Sequence, residues 1–132
     1  STPGNILFET AETWAMSNSG FLSNVVDIDG DGRPELIGQH GNGSVAVDFW
    51  IIQNISSPGD ILFASSISYF GGATLDAGAG VAAGDLDNDG KPELLVSHGF
   101  GDRFSILQNN SVPGIITLNN LGTIVTSQYN RG

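Results

Sequence analysis

Two short segments of the chain carry carboxylates at alternate positions. Residues 27–35 and 85–93 both read Asp-x-Asp-x-Asp-Gly-x-Pro-Glu, and together they hold eight of the fourteen acidic residues. Alternate side chains of a tightly wrapped loop can turn toward one point, and the Gly at the sixth position supplies the backbone dihedral angles that the wrapping requires. Several hard oxygen atoms around one point suit Ca²⁺, whereas Mg²⁺ retains its waters and zinc or copper would favour His or Cys ligands.

Each segment therefore predicts one Ca²⁺ site, which gives two ions in all. An EF-hand is the competing interpretation, but its loop needs a Glu at position twelve, where this chain has Gly38 and Val96. The simpler alternative of two polar turns with solvated carboxylates is disfavoured, because the motif occurs twice with the same Pro-Glu-Leu ending. The predicted ligands are Asp27, Asp29, Asp31, the Arg33 carbonyl and Glu35 in the first loop, and Asp85, Asp87, Asp89, the Lys91 carbonyl and Glu93 in the second.

The two loops belong to an internal repeat. Residues 27–41 align with 85–99 at an offset of 58, and nine of the fifteen aligned positions are identical. Residues 53–59 align with 108–114 at an offset of 55, and Pro3–Phe8 matches the segment that begins at Pro58 by the same offset. We assign residues 1–20 to the end of a preceding repeat, 21–77 to the first full repeat and 78–132 to the second.

The hydrophobic pattern predicts an all-β fold. The apolar runs are short, and 19 Gly and 5 Pro punctuate the chain, which favours strands and turns over helices. Four short strands in roughly 55 residues are typical of a propeller blade or a similar antiparallel unit. We therefore predict two tandem four-stranded antiparallel repeats, each resembling a propeller blade, plus an N-terminal strand-like segment. The predicted strands are 24–28, 35–38, 45–53, 61–70, 81–86, 93–97, 103–108 and 115–129.

Composition excludes several classes of function. Fourteen acidic residues face four basic ones, for a formal net charge of −10, and such a surface repels the phosphate backbone of nucleic acids. No apolar run reaches the ~18 residues of a membrane span, so membrane insertion is not expected. The absence of Cys excludes thiolate metal sites and thiol nucleophiles. No nucleophile–base arrangement stands out, so we predict no catalytic residues and no enzyme activity.

The second loop and its flanks resemble a known family. Residues 81–96 are similar to the FG-GAP/VCBS repeat of integrin-type β-propellers, Phe70–Ala73 is loosely similar to its Phe-Gly and Gly-Ala-Pro elements, and Ile106–Gly114 is similar to the blade junctions of bacterial VCBS arrays. The resemblance implies propeller blades, calcium bound through loop positions 1, 3, 5, 7 and 9, and an extracellular or cell-surface location. It also implies a role in adhesion, ligand binding or lectin-like recognition.

Two repeats are too few to close a propeller ring, which in this family usually has about seven blades. Repeat units bury their apolar faces against neighbours, so we expect copies of the chain to associate into a ring or a head-to-tail filament. The N-terminal segment 5–16 is a candidate for strand addition to a neighbouring copy. The predicted function is an extracellular, calcium-binding structural or adhesive repeat protein. The alternatives are a lectin-like module that binds glycans, or a fragment of a larger adhesin that contacts cell-surface proteins.

Other distinctive residues favour structural interpretations. His40 and His98 occupy equivalent repeat positions, and we expect each to bond to the backbone at a strand end. Trp50 is expected in the core rather than as a platform for a sugar ring. Three Asn-x-Ser sequons begin at Asn42, Asn54 and Asn109, and the last two are repeat-equivalent, so they can reflect the turn chemistry of the repeat alone.

Overall fold

The computed structural model describes residues 20–40, 49–69, 80–98 and 103–126. The N-terminal strand-like segment predicted for residues 1–20 lies outside this range except for Gly20. Within the described residues, no helix is long and apolar enough to cross a membrane.

Within the described ranges, eight strands form two four-stranded antiparallel sheets. In each sheet the strands pair in chain order, as in a propeller blade. This architecture confirms the all-β prediction of two tandem four-stranded antiparallel units. The first sheet contains β1 (Gly20–Val26), β2 (Glu35–His40), β3 (Phe49–Ile52) and β4 (Ile67–Tyr69), and the second contains β5 (Gly80–Gly84), β6 (Glu93–Ser97), β7 (Arg103–Asn109) and β8 (Leu118–Val125).

The fourth strand of each repeat begins later than predicted because a tight turn precedes it. In the second repeat, Val112 and Ile115 exchange two backbone hydrogen bonds of 3.1 and 2.8 Å across Pro113-Gly114. In the first repeat, Ser57 and Asp60 pair in the same way. Proline followed by a glycine with positive φ is the pattern of a type II turn, and φ is +82° at Gly114. The turn folds the following residues back on the chain, so β8 begins at Leu118 rather than at residue 115.

The hydrophobic core lies between the two sheets and takes four residues from each. Ile28, Ile37, Phe49 and Ile51 come from the first repeat, and Val81, Leu94, Val96 and Leu107 come from the second. Tyr69 packs against this cluster and stacks on Phe49 with ring centroids 5.3 Å apart. The two sheets therefore share this cluster, and each covers one face of the other, while Trp50 and Ile52 of β3 are buried outside it.

The two sheets present different faces to this core. Side chains alternate between the faces of a strand, and Ile37 of β2 points into the core. At the equivalent position of β6, Leu95 does not belong to the buried cluster, whereas its neighbours Leu94 and Val96 do. The packing is thus head-to-tail, because one face of the first sheet meets the opposite face of the second.

Candidate metal centre

Each acidic loop connects the first two strands of its sheet. The first loop follows Val26 at the end of β1 and ends at Glu35, which begins β2. Its backbone wraps around the first carboxylate: Oδ1 of Asp27 accepts a hydrogen bond of 2.8 Å from the Gly30 N–H, and Oδ2 accepts one of 2.8 Å from the Gly32 N–H. Gly32 has φ of +87°, a conformation that favours glycine. This confirms the backbone role predicted for the sixth loop position.

The second loop repeats this arrangement. Oδ2 of Asp85 accepts a hydrogen bond of 2.9 Å from the Gly90 N–H, and Gly90 has φ of +88°. Asn88 stands where the first loop has Gly30 and adopts φ of +64°, which Asn tolerates better than most residues. The two sequences therefore reach the same loop shape with one substitution at a left-handed position.

The folded loops gather three carboxylates each. In either group, one oxygen from each residue lies within 4.8 Å of the others. Ca²⁺ binds oxygen at roughly 2.3–2.6 Å, so two of its ligands are at most about 5 Å apart. The spacing and the all-oxygen donor sets thus fit a hard divalent cation. The groups are Asp27, Asp29 and Glu35 in the first loop and Asp85, Asp87 and Glu93 in the second.

The glutamate at the ninth position is the buried member of each group. Glu35 and Glu93 are almost fully enclosed, and Oε2 of each accepts a 2.8 Å hydrogen bond from the backbone N–H of Ile28 or Leu86. Burial raises the pKa of Glu35, the negative charges of Asp29 and Asp31 raise it further, and the N–H donors oppose the shift. A cation close to such a carboxylate would favour its ionised form.

The fifth-position aspartates lie outside these three-residue groups. In the first loop, the Asp31 carboxylate accepts hydrogen bonds from Nε of Arg33 at 2.9 Å and from its terminal nitrogen. The side-chain hydrogen bond from Arg33 holds the pKa of Asp31 below its usual range, although burial opposes the shift. In the second loop, Lys91 instead donates to the Ser111 carbonyl at 2.9 Å. Ligation by Asp31, by Asp89 and by the carbonyls of Arg33 and Lys91 stays a prediction.

Residues outside the acidic motif also donate hydrogen bonds to the two loops. Oδ2 of Asp29 accepts hydrogen bonds from Nε2 of Gln53 at 3.1 Å and from the Gly114 N–H at 2.9 Å. The side-chain amides of Asn54 and Asn109 each donate 3.0 Å hydrogen bonds, to the carbonyls of Pro34 and Pro92. These donors lie in the repeated Gln-Asn-x-Ser-x-Pro-Gly segment. The repeat alignment of this segment is the sequence signal for these contacts, and it indicates turn chemistry without indicating which loop atoms the donors reach.

The tryptophan, histidine and sequon residues distinguished in the sequence are not part of the acidic groups. Trp50 is 2% exposed, which confirms a core position and leaves no ring face for a sugar. Nε2 of His98 bonds to the hydroxyl of Ser105 at 3.0 Å, so this ring nitrogen contacts a side chain, and the expected bond from the ring to the backbone stays a prediction. The Asn109 amide is buried and donates to two carbonyls, so the folded chain cannot present this sequon to a glycosyltransferase. Asn42 lies outside the described residues, as does the side chain of His40.

Comparison with known families identifies the repeat. A family model described as an FG-GAP-like repeat matches residues 27–96, slightly more than half of the chain. A second model, described as an FG-GAP repeat, matches residues 77–118. No significant match was found among curated proteins or among solved structures. The matched ranges contain both acidic loops and most of the two sheets, and the chain therefore belongs to the FG-GAP-like repeat family.

Proposed function

We propose that this chain is a calcium-binding structural module of an extracellular or cell-surface adhesion protein. Each acidic loop binds one Ca²⁺ ion, and the ion stabilises the hairpin that the first two strands of the sheet form. The module acts by presenting and stacking repeats rather than by catalysis. Filling both sites would change the formal charge from −10 to −6, starting from the sequence charge and adding two divalent ions.

The single observation that carries the proposal is the buried glutamate at the end of each loop, grouped with two aspartates. Glu35 is 0% exposed and shares its group with two aspartates. Arg33 binds Asp31, and Lys91 binds a backbone carbonyl, so these two cations are engaged elsewhere. A hard divalent cation would offset the clustered negative charge and would favour the ionised form of the buried glutamate.

The adhesive and extracellular part of the proposal rests on the family. FG-GAP repeats are typical of extracellular or surface proteins. Extracellular calcium modules bind with Kd values of about 10⁻⁴ to 10⁻³ M, so such sites fill in calcium-rich surroundings and empty at the far lower calcium levels inside cells. Calcium-dependent stability would then confine the rigid form of the module to the compartment where it acts.

Calorimetric titration of the 132-residue chain with calcium tests the proposal. We expect two ions per chain for the unmodified protein and one ion for either Asp27→Asn or Asp85→Asn, because each substitution weakens one loop. Asp60→Asn is the matched control, since Asp60 is an exposed acid outside both loops and should leave the stoichiometry at two. A titration without saturable binding, or a stoichiometry that neither loop variant changes, would refute calcium binding at these loops.

The Arg33–Asp31 pair predicts an asymmetry between the loops. Arg33 must release the Asp31 carboxylate before that group can bind an ion, so Arg33→Gln should tighten calcium binding at the first loop by roughly two- to fivefold, the range expected for an exposed ion pair. Lys91→Gln is the control for the general effect of removing a positive charge, because Lys91 Nζ donates to Ser111. Equal changes in the two variants would show that the pair itself has no effect.

A further inference from the structure

The second repeat covers the first acidic loop through three contacts. The Asn109 amide donates a 2.7 Å hydrogen bond to the Ile28 carbonyl, and the Gly114 N–H donates a 2.9 Å hydrogen bond to the Asp29 carboxylate. Ile116 packs against the core cluster that contains Ile28. The Asn-x-Ser-x-Pro-Gly turn of one repeat is therefore the cap of the acidic loop in the preceding repeat.

The capping donors have equivalents in the first repeat, and the acceptors of the first acidic loop have equivalents in the second repeat. At the offset of 55, the capping residues Asn109, Gly114 and Ile116 correspond to Asn54, Gly59 and Ile61 of the first repeat, which we call the capping edge. Ile61 is 72% exposed. Asn54 makes the bond to its own repeat, through Pro34, but among the described residues it has no counterpart of the Asn109–Ile28 bond.

The second acidic loop offers the matching acceptors. At the offset of 58, Ile28 and Asp29 correspond to Leu86 and Asp87. Ile28 is 1% exposed, whereas Leu86 is 54% exposed. Asp29 is buried beneath the Gly114 turn, and Asp87 is exposed. The loop that should receive a capping turn is thus the more open of the two.

The outer face of the second sheet continues this open surface. A depression of about 330 Å³ lies there, and Leu95 and Phe104 contribute to its lining. Their repeat equivalents are Ile37 and Phe49, which are fully buried beneath the second sheet. The surface that the first repeat buries against its neighbour is therefore only half-buried on the second repeat. We call the surface formed by Leu86, Asp87, Leu95 and Phe104 the open face.

We propose that the open face of one chain binds the capping edge of a second copy. The Asn54 amide of the second copy would donate to the Leu86 carbonyl, its Gly59 N–H would donate to the Asp87 carboxylate, and its Ile61 would cover Leu86. This contact continues the interface already present between the two repeats. Because the two surfaces differ and lie on different repeats, each added copy exposes a new open face and the association propagates. The inference rests on the proposed function, since calcium would hold the Asp87 loop in place.

Sedimentation velocity in calcium and moderate salt tests the association. The salt is needed because the copies repel one another: their formal net charge is −10 without calcium and stays negative when both sites are filled. The average size of the oligomers formed by the unmodified chain should increase with protein concentration. Leu86→Gln removes the apolar contact from the open face, and Ile61→Gln removes it from the capping edge. Each variant alone should raise the dissociation constant about tenfold or more, the effect expected for one buried aliphatic side chain. Val125→Gln is the control, because it replaces an equally exposed apolar residue in β8.

A mixture of the two variants provides the sharpest result. Leu86→Gln chains keep a normal capping edge and Ile61→Gln chains keep a normal open face, so equal amounts should form one-to-one dimers that do not grow further. A symmetric interface would not show this complementation, and its absence in associating wild-type protein would overturn the proposal. Calcium binding is measured on the same samples. A wild-type chain that binds two ions but stays monomeric at its highest soluble concentration would refute the self-association while leaving the proposed function intact.

Discussion

Chelating calcium should lower the melting temperature of this chain by roughly 10 °C or more relative to the protein in about 10 mM calcium. With Kd values of about 10⁻⁴ to 10⁻³ M, that concentration stabilises the folded state by about 1.4 to 2.7 kcal/mol for each filled site. Two sites contribute about 3 to 5 kcal/mol, and a domain of this size shifts by a few degrees for each kcal/mol. Differential scanning calorimetry in calcium and in EDTA measures the effect.

The control for this experiment is the double variant Asp27→Asn, Asp85→Asn. Its melting temperature should differ little between calcium and EDTA, because both loops have lost their first-position carboxylate. Magnesium at the same concentration should restore much less of the stability, since this ion sheds its waters reluctantly. A wild-type melting temperature that is the same with and without chelator would contradict the role assigned to the loops.

Ile37→Ala should destabilise the chain by about 2 to 5 kcal/mol, the range for truncating a fully buried aliphatic side chain. Ile37 is buried between the sheets, so its loss leaves a cavity at the contact between the two repeats. Leu95→Ala is the matched control, because Leu95 holds the equivalent position on the open face and lies in a solvent-accessible depression. We expect a loss of about 1 kcal/mol or less there, since little apolar surface is removed from the core.

Urea denaturation at low protein concentration measures both free energies of unfolding, because dilution keeps the open face free of a second copy. Comparable losses for the two variants would contradict the packing described between the sheets. A single cooperative transition for the wild type is also expected, since both sheets contribute residues to one buried cluster.

The order of the strands and the shape of the acidic loops could be predicted from the sequence. Both depend on local features: short apolar runs, Pro-Gly turns, and the spacing of carboxylates around Gly32 and Gly90. The antiparallel pairing of neighbours in chain order also follows from short connections. These features are encoded within a few residues of where they act, so pattern reasoning reaches them.

The relation between the two repeats could not be predicted in the same way. Leu36, Ile37 and their equivalents Leu94 and Leu95 are all apolar, so the alternation that normally distinguishes a buried face from an exposed face is missing. The cap over Asp29 comes from Gly114, eighty-five positions away. Its donor is a backbone N–H, which no pattern of side chains in the sequence can indicate. The Arg33–Asp31 pair was not predicted either, because the motif gives the seventh position a role through its backbone carbonyl and not through its side chain.

Because the two repeats share a buried cluster, the unit that repeats in the sequence is smaller than the unit that folds. A single repeat, cut out at the boundary near residue 77 and expressed alone, would expose the apolar face that its neighbour normally covers, and we expect it to aggregate. Duplication of such a unit adds length to a gene one repeat at a time, yet a newly added repeat buries its share of this cluster only against the copy beside it. Recombinant fragments and domain grafts should accordingly contain repeats in pairs.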